Sequence, residues 1–443
     1  MKQIDLTKGS PQKLFFRYLF PSISATLVTS IYILADSVMI GKGVGANGIA
    51  ALNIILPLFT LFFGIGLLFG VGGAVLMSVA QGSQDYELGK KYFTTSTYSV
   101  AALSIILVIL LEVGLKPVLQ FLGATQATYA YAVEYARILV AGAPVFMFSS
   151  MLQTFVRNDK NPNLSMIAVI TGGVTNIVLD YIFIYRFSLG MTGGAIATVI
   201  GSSATVVILC THFFQKNCTL KLVKHGFHIR RLGKIVTNGF ASFLVEMAGG
   251  VVTFLFNIQL VRYIGDIGIT VYSIIANSSF VVMSLANGVA QAAQPIIAVN
   301  YGAGLRKRVN EVRNLGFLCS AGIGSLVVFC GILAPSILTQ IFVHATEEIL
   351  ALAVPAIRIY FVAFLFMNLN VFGSNYFQSV MKPQYAMLIS ILRGLVLSCM
   401  MVLVLPLILN AFGIWLAMPM VEFTTALVVF ALVKKEGRCK NDK

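Results

Sequence analysis

Six of the chain's 16 acidic residues fall within or at the edges of long apolar stretches: Asp36, Glu112, Glu134, Asp180, Glu246 and Glu422. A carboxyl group is costly in such surroundings, so its default reading is functional. Position separates the six. Glu112 and Glu134 stand at stretch ends and can reach water, while Glu422 is deeper and the sequence names no partner for it. Asp36 closes a polar helix face on which Ser22, Thr26, Thr29, Ile33 and Asp36 follow the i, i+4, i+7, i+11, i+14 spacing. Asn176 and Asp180, at i and i+4, share a face of a second helix, and Thr198 lies near the start of a third. With a rise of about 1.5 Å per residue, these four side chains fall within roughly two turns of one depth. Two carboxylates, an amide and a hydroxyl in one layer suit a small hard cation, Na⁺ among them, which prefers oxygen ligands. They equally suit a proton held between two carboxylates that repel each other. A hydrogen-bonded network that only locks the bundle is the alternative.

A second polar stripe, Glu246, Thr253 and Asn257, recurs at i, i+7 and i+11. Glu246 either meets a cationic solute in a cavity or hydrogen-bonds a neighbouring helix. The 33 Phe, 16 Met and 16 Tyr would give such a cavity soft walls for flat lipophilic cations.

The elements that must carry these residues are membrane spans. Apolar residues make up 58% of the 443 positions and charged residues 11%, a composition no water-soluble core can bury but a bilayer can. Twelve spans are expected, at 14–40, 50–80, 92–112, 131–156, 164–185, 193–214, 235–263, 270–298, 313–334, 349–377, 386–409 and 412–433. The net charge of +15 is not gathered into a nucleic-acid stripe. Its Lys and Arg crowd into alternate loops instead, with Lys42, Lys116, Arg186 and Arg262 alone on the other side. That bias predicts a multi-pass membrane protein with both termini cytoplasmic. The first span is too long for a cleaved signal and is expected to be retained.

One offset of 220 or 221 residues aligns the chain with itself. It pairs Pro21-Ser22 with Ala241-Ser242, Gly45 to Ile49 with Gly265 to Ile269, and Gly82 with Gly302. It also pairs Arg137-Ile138 with Arg358-Ile359, Pro162 with Pro383, and Gly193 and Ala197 with Gly413 and Ala417. Six spans per half is an even number, so the repeats run parallel, a build usual for alternating-access carriers. The expected organisation is an N-terminal six-helix lobe at 1–214, a basic linker at 215–234 and a C-terminal six-helix lobe at 235–443. Under the offset, Asp36, Asn176, Asp180 and Thr198 map onto Phe256, Leu397, Met401 and Met418, all apolar, so the polar layer belongs to the first half alone.

No phosphate-binding loop or HExxH motif is present, so neither an enzyme nor an ATP-driven pump is expected, and no cofactor beyond a coupling ion, Na⁺ or H⁺. Cys210, Cys218, Cys319, Cys330, Cys399 and Cys439 form no CxxC pair, and none is assigned a redox or metal role.

Four segments resemble the multidrug and toxin extrusion (MATE) family, closest to its MepA-like bacterial branch. They are Ala35 to Gly41, Gln153 to Asp159 with Pro162, Gly193 to Ala197, and Gln291 to Pro295 running on to Asn300-Tyr301-Gly302. The resemblance implies two six-helix lobes around a V-shaped cleft and export of organic cations, such as dyes, quaternary ammonium biocides or fluoroquinolones, in exchange for Na⁺ or H⁺. The family's N-lobe cation site maps onto Asp36, Asn176, Asp180 and Thr198, and a branch acidic residue onto Glu246. Ala241 departs from the pattern, since a proline is expected there. Membrane lipid and small lipophilic cations are the expected partners of a monomer, with no nucleic acid. A flippase for a lipid-linked precursor is the second reading. It would need basic residues in its cleft, where only Arg137, Arg358 and Arg393 lie in or near spans.

Overall fold

The computed structural model describes residues 5–343 and 346–438, and these form helices joined by short turns. Cys439 and His344 lie outside the described residues. The first eight helices are α1 (Pro11–Gly43), α2 (Ala46–Gly82), α3 (Tyr86–Val113), α4 (Leu115–Phe121), α5 (Gln126–Ala141), α6 (Ala143–Asn158), α7 (Pro162–Asp180) and α8 (Gly190–Cys210). Then follow α9 (Ile229–Tyr263), α10 (Asp266–Gly302), α11 (Arg306–Leu333), α12 (Pro335–Phe342), α13 (Glu347–Tyr360), α14 (Val362–Ser379), α15 (Pro383–Ile391) and α16 (Leu397–Arg438). The duplication is visible in this order. Helices α2 and α10 are both 37 residues long, α3 and α11 both 28, and each pair starts 220 positions apart.

Local chemistry sets the starts. Asp85 accepts from the Leu88 amide at 2.9 Å, Asn161 from Leu164 at 3.2 Å ahead of Pro162, and Thr346 from Ile349 at 3.3 Å. These caps satisfy amides that a helix cannot pair internally.

Ten helical stretches are long and apolar enough to cross a membrane, and α5 and α6 together make an eleventh. The expected straight span at 131–156 is instead bent by 53° at Gly142. The last stretch, Pro383–Gly437, runs for 55 residues, about twice what a bilayer holds. It is interrupted at Asn410, whose φ of 52° and ψ of −139° are not helical, so it divides into two spans where the sequence placed a break.

Contacts divide the chain into two compact units. One comprises Met1–Met247 with Ala298–Arg306, the other Ala248–Ile297 with Lys307–Lys443. The division runs through the middle of α9, between Met247 and Ala248, and the end of α10 joins the first unit. The segment between α8 and α9 also belongs to the first unit, and α9 begins at Ile229, inside the stretch 215–234 read as linker.

In the first unit α7 and α8 cross where both carry glycine. A Cβ on Gly201 would stand 2.7 Å from the Gly172 carbonyl oxygen and 2.8 Å from Asn176 Cβ, and one on Gly172 would meet Gly201 O at 2.7 Å. Small residues at such a crossing let helix backbones touch in a membrane.

The second unit is held differently. Arg393 donates from Nε to Glu422 Oε1 at 2.6 Å, and Asn370 Nδ2 donates to Glu422 Oε2 at 2.7 Å and to its backbone oxygen at 2.8 Å. The Glu422 side chain is fully buried and that of Arg393 nearly so. Arg393 lies in a π-helical turn, Leu392–Val396, between α15 and α16. Glu422, for which the sequence named no partner, thus has two. Arg137, Arg358, Glu112 and Glu134 are exposed, as span-end residues should be.

Replacing Gly201 by Val should cost about 1–3 kcal/mol through overpacking of the α7–α8 crossing. Gly249→Ala, where a Cβ meets nothing within 4 Å, should leave stability within about 1 kcal/mol of the parent. Thermal unfolding in detergent separates the two. Arg393→Met should cost about 3–5 kcal/mol by stranding the buried Glu422 charge, and the double variant Arg393→Met, Glu422→Leu should cost less than the single one. A double variant as unstable as the single would mean that charge is not what is lost.

Candidate ion and solute site

The four residues of the first-half polar layer converge. Asp180 is wholly buried, and Asn176 and Thr198 are 2% and 7% exposed. Asn176 Nδ2 donates to Thr198 Oγ1 at 3.4 Å across the glycine crossing, while the Thr198 hydroxyl donates back to Gly194 O at 2.9 Å. Asp36, on α1, brings its carboxyl group against that of Asp180.

A fifth residue completes the cluster. Tyr135 on α5 is buried, and its hydroxyl reaches Asp36 and stands 3.3 Å from Thr198 Oγ1. The sequence did not single it out. Tyr135 sits one residue after Glu134 and two before Arg137, both exposed, so only the fold reveals that it faces the cluster.

The electrostatics of the pair are unusual. Neither Asp180 oxygen receives an N–H or hydroxyl hydrogen bond, and Asp36 Oδ1 and Asn176 Oδ1 are likewise buried without a donor. No Lys, Arg or His is among the five clustered residues. The carboxyl–carboxyl contact is itself a hydrogen bond only when one partner carries a proton. Two adjacent carboxyl groups, three of whose four oxygens lack a donor, favour either that shared proton or a cation between them. With Asn176 Oδ1 and the Tyr135 and Thr198 hydroxyls, the available donors are all oxygen, the set a hard ion prefers and a soft one does not. Immediately after Asp180 the helix widens into a π-turn, Tyr181–Arg186, a distortion frequent at functional sites.

A cavity adjoins the cluster. Tyr32, Phe59, Phe63 and Phe146 give it aromatic walls, and Asn176 and Thr198 form part of its lining. Ser149, Gly172 and Ser202 also face it. Under the repeat these three correspond to Asn370, Arg393 and Glu422, which hydrogen-bond one another in the second unit. Where the first unit carries Asp36 the second carries Phe256, fully buried and stacked on Tyr272 at 4.8 Å.

The second stripe does not assemble into one constellation within either unit. Glu246 belongs to the first unit, beside Gly64, whose added Cβ would lie 3.4 Å from Glu246 Cβ. Thr253 and Asn257 belong to the second, where Thr253 is exposed and touches Tyr272.

Known proteins place this architecture. A family model described as MatE matches residues 21–182 and again 241–404, once in each half. The multidrug export protein MepA of Staphylococcus aureus strain MSSA476 is 26% identical over 396 residues, covering 87% of this chain and 85% of its own length. That of Staphylococcus saprophyticus is 27% identical over 314 residues, covering 69% and 68%. A solved multidrug resistance MATE family transporter of the MOP superfamily, in an outward-facing conformation, superposes with a TM-score of 0.93 at 22% identity, covering 100% of this chain and 99% of that one. A MOP superfamily transporter from Pyrococcus furiosus does so with a TM-score of 0.90, also at 22% identity and covering 98% of each chain. The chain is a multi-pass membrane protein and belongs to the MatE family of multidrug and toxin extrusion transporters.

Proposed function

We propose that the protein is a secondary antiporter that exports small amphipathic organic cations by alternating access, exchanging them for Na⁺ or H⁺ bound at Asp36, Asp180, Asn176, Thr198 and Tyr135. The carrying observation is the contact of two carboxyl groups, one wholly buried, with no basic partner in the cluster and no donor on either Asp180 oxygen. Such a pair is unstable when fully ionised and empty, so loading and unloading of one positive charge changes its energy strongly. That is what coupling requires, since a ligand shifts a conformational equilibrium only by its differential affinity for the two states.

Export as the direction of transport follows the names of the staphylococcal relatives. The positive-inside pattern puts both termini in the cytoplasm of a bacterial plasma membrane. Glu246, Thr253 and Asn257 remain candidates for contact with a cationic solute. A lipid-precursor flippase is less well supported, because Arg393, the most deeply placed of the three basic residues in or near spans, is already neutralised by Glu422.

Purified protein in liposomes should expel ethidium when a Na⁺ or a pH gradient is imposed separately, and the gradient that works names the ion. Asp36→Asn and Asp180→Asn should each lower that rate by at least about 10-fold while the protein remains folded, because the amide keeps the shape and removes the charge site. Undiminished efflux from both variants would reject the mechanism.

A further inference from the structure

At the basic end of the first unit, three side chains from three separate segments meet outside the cluster described above. Asp159 caps the end of α6, His212 lies in a 3₁₀ turn, Thr211–Phe214, that follows α8, and Cys218 is in the segment leading to α9. A carboxylate oxygen, a ring nitrogen and the sulfur all lie within 4.8 Å of one another. We propose that these three residues form a binding site for a borderline-soft divalent transition ion, Zn²⁺ being the representative case.

The donor set carries the chemical argument. Carboxylate, imidazole and thiolate are the three side-chain ligands of zinc, and a tetrahedral ion with bonds of about 2.0–2.3 Å holds its ligands roughly 3.3–3.8 Å apart. The three atoms need shift only a little to reach that spacing. The His212 Nε2 to Asp159 Oδ2 separation of 2.8 Å would open by about half an ångström as the ion takes the place of the shared proton. Binding would release that proton and the thiol proton to solvent, with the ion gaining both lone pairs.

Asp159 is also held from behind. The Thr219 amide donates to Asp159 Oδ2 at 2.9 Å, the Thr219 hydroxyl donates to Oδ1, and Gln81 Nε2 donates to Thr219 Oγ1 at 2.8 Å. Outer contacts of this kind orient metal ligands and raise affinity. Asp159 and His212 are buried, whereas Cys218 is half-buried, and its sulfur makes a weak 3.6 Å contact to Leu220 O and lies against His212. A water arriving from that side would supply a fourth ligand. Lys216, Lys221 and Lys224 in the same segment are exposed, so solvent screens their charge. A bound ion would tie the segment between the two repeats to the end of α6 and to the turn after α8.

Equilibrium dialysis of the full-length protein in detergent against Zn²⁺ should show one equivalent bound, and Co²⁺ should give the intense thiolate charge-transfer band of a sulfur-ligated ion. Cys218→Ser should abolish the band and weaken Zn²⁺ binding by at least about 10-fold, as should Asp159→Asn, while Cys210→Ser changes neither. In the unmutated protein Zn²⁺ should slow maleimide labelling of Cys218 and leave that of exposed Cys330 unchanged, a measurement that needs no variant to fold. No stoichiometric binding, a Co²⁺ band that survives Cys218→Ser, or labelling of Cys218 indifferent to Zn²⁺ would overturn the site.

Discussion

The close approach of α7 to α8 governs the first unit. Gly172 and Gly201 bring one helix's carbonyl oxygen within reach of the other's backbone, and only at that separation can the short Asn176 amide meet the Thr198 hydroxyl. Asp180 is carried on the same helix one turn beyond Asn176, so the crossing also sets how deeply its carboxyl group is buried. A bilayer rewards this packing because lipid offers no hydrophobic drive between helices, which leaves van der Waals contact and hydrogen bonds to hold them.

From that crossing the polar cluster is built outward by residues of other helices. Asp36 approaches on α1 and Tyr135 on α5, and each adds an oxygen to a layer that has no cation of its own among its five members. The adjoining cavity has small residues, Ser149, Gly172 and Ser202, set between its aromatic walls. In the second unit an arginine, a glutamate and an asparagine occupy the positions corresponding to Gly172, Ser202 and Ser149 and form a buried, hydrogen-bonded ion pair.

Much of this was legible beforehand, and the reason is periodicity. Apolar runs and the 220-residue offset locate helices along the chain to within about two turns, and counting residues from a span end gives depth. That was enough to group Asp36, Asn176, Asp180 and Thr198. Depth says nothing of rotation or of distant partners, so Tyr135 was invisible, as was the pairing of Glu422 with Arg393 across 29 positions. The bend at Gly142 was missed because glycine followed by Ala143 and Pro144 sits inside a run that is apolar throughout. Asp159, His212 and Cys218 were passed over because their ligand atoms come from segments 53 and 6 residues apart, with no local spacing to betray them. The boundary of the compact units inside α9 also has no signature in composition, since both sides of Met247 are equally apolar.

The contrast between the two units has a consequence for how such a protein could have arisen. An internal duplication supplies two copies of one scaffold, and only one of them needs to keep an electrostatically frustrated interior. The other is free to replace its carboxylates with apolar side chains, Phe256 and Met401, and to bury an ion pair of its own, Arg393 with Glu422. Exchanging glycine for arginine at one repeat-related position, 172 or 393, separates a copy that lines a cavity there from one that buries a charge.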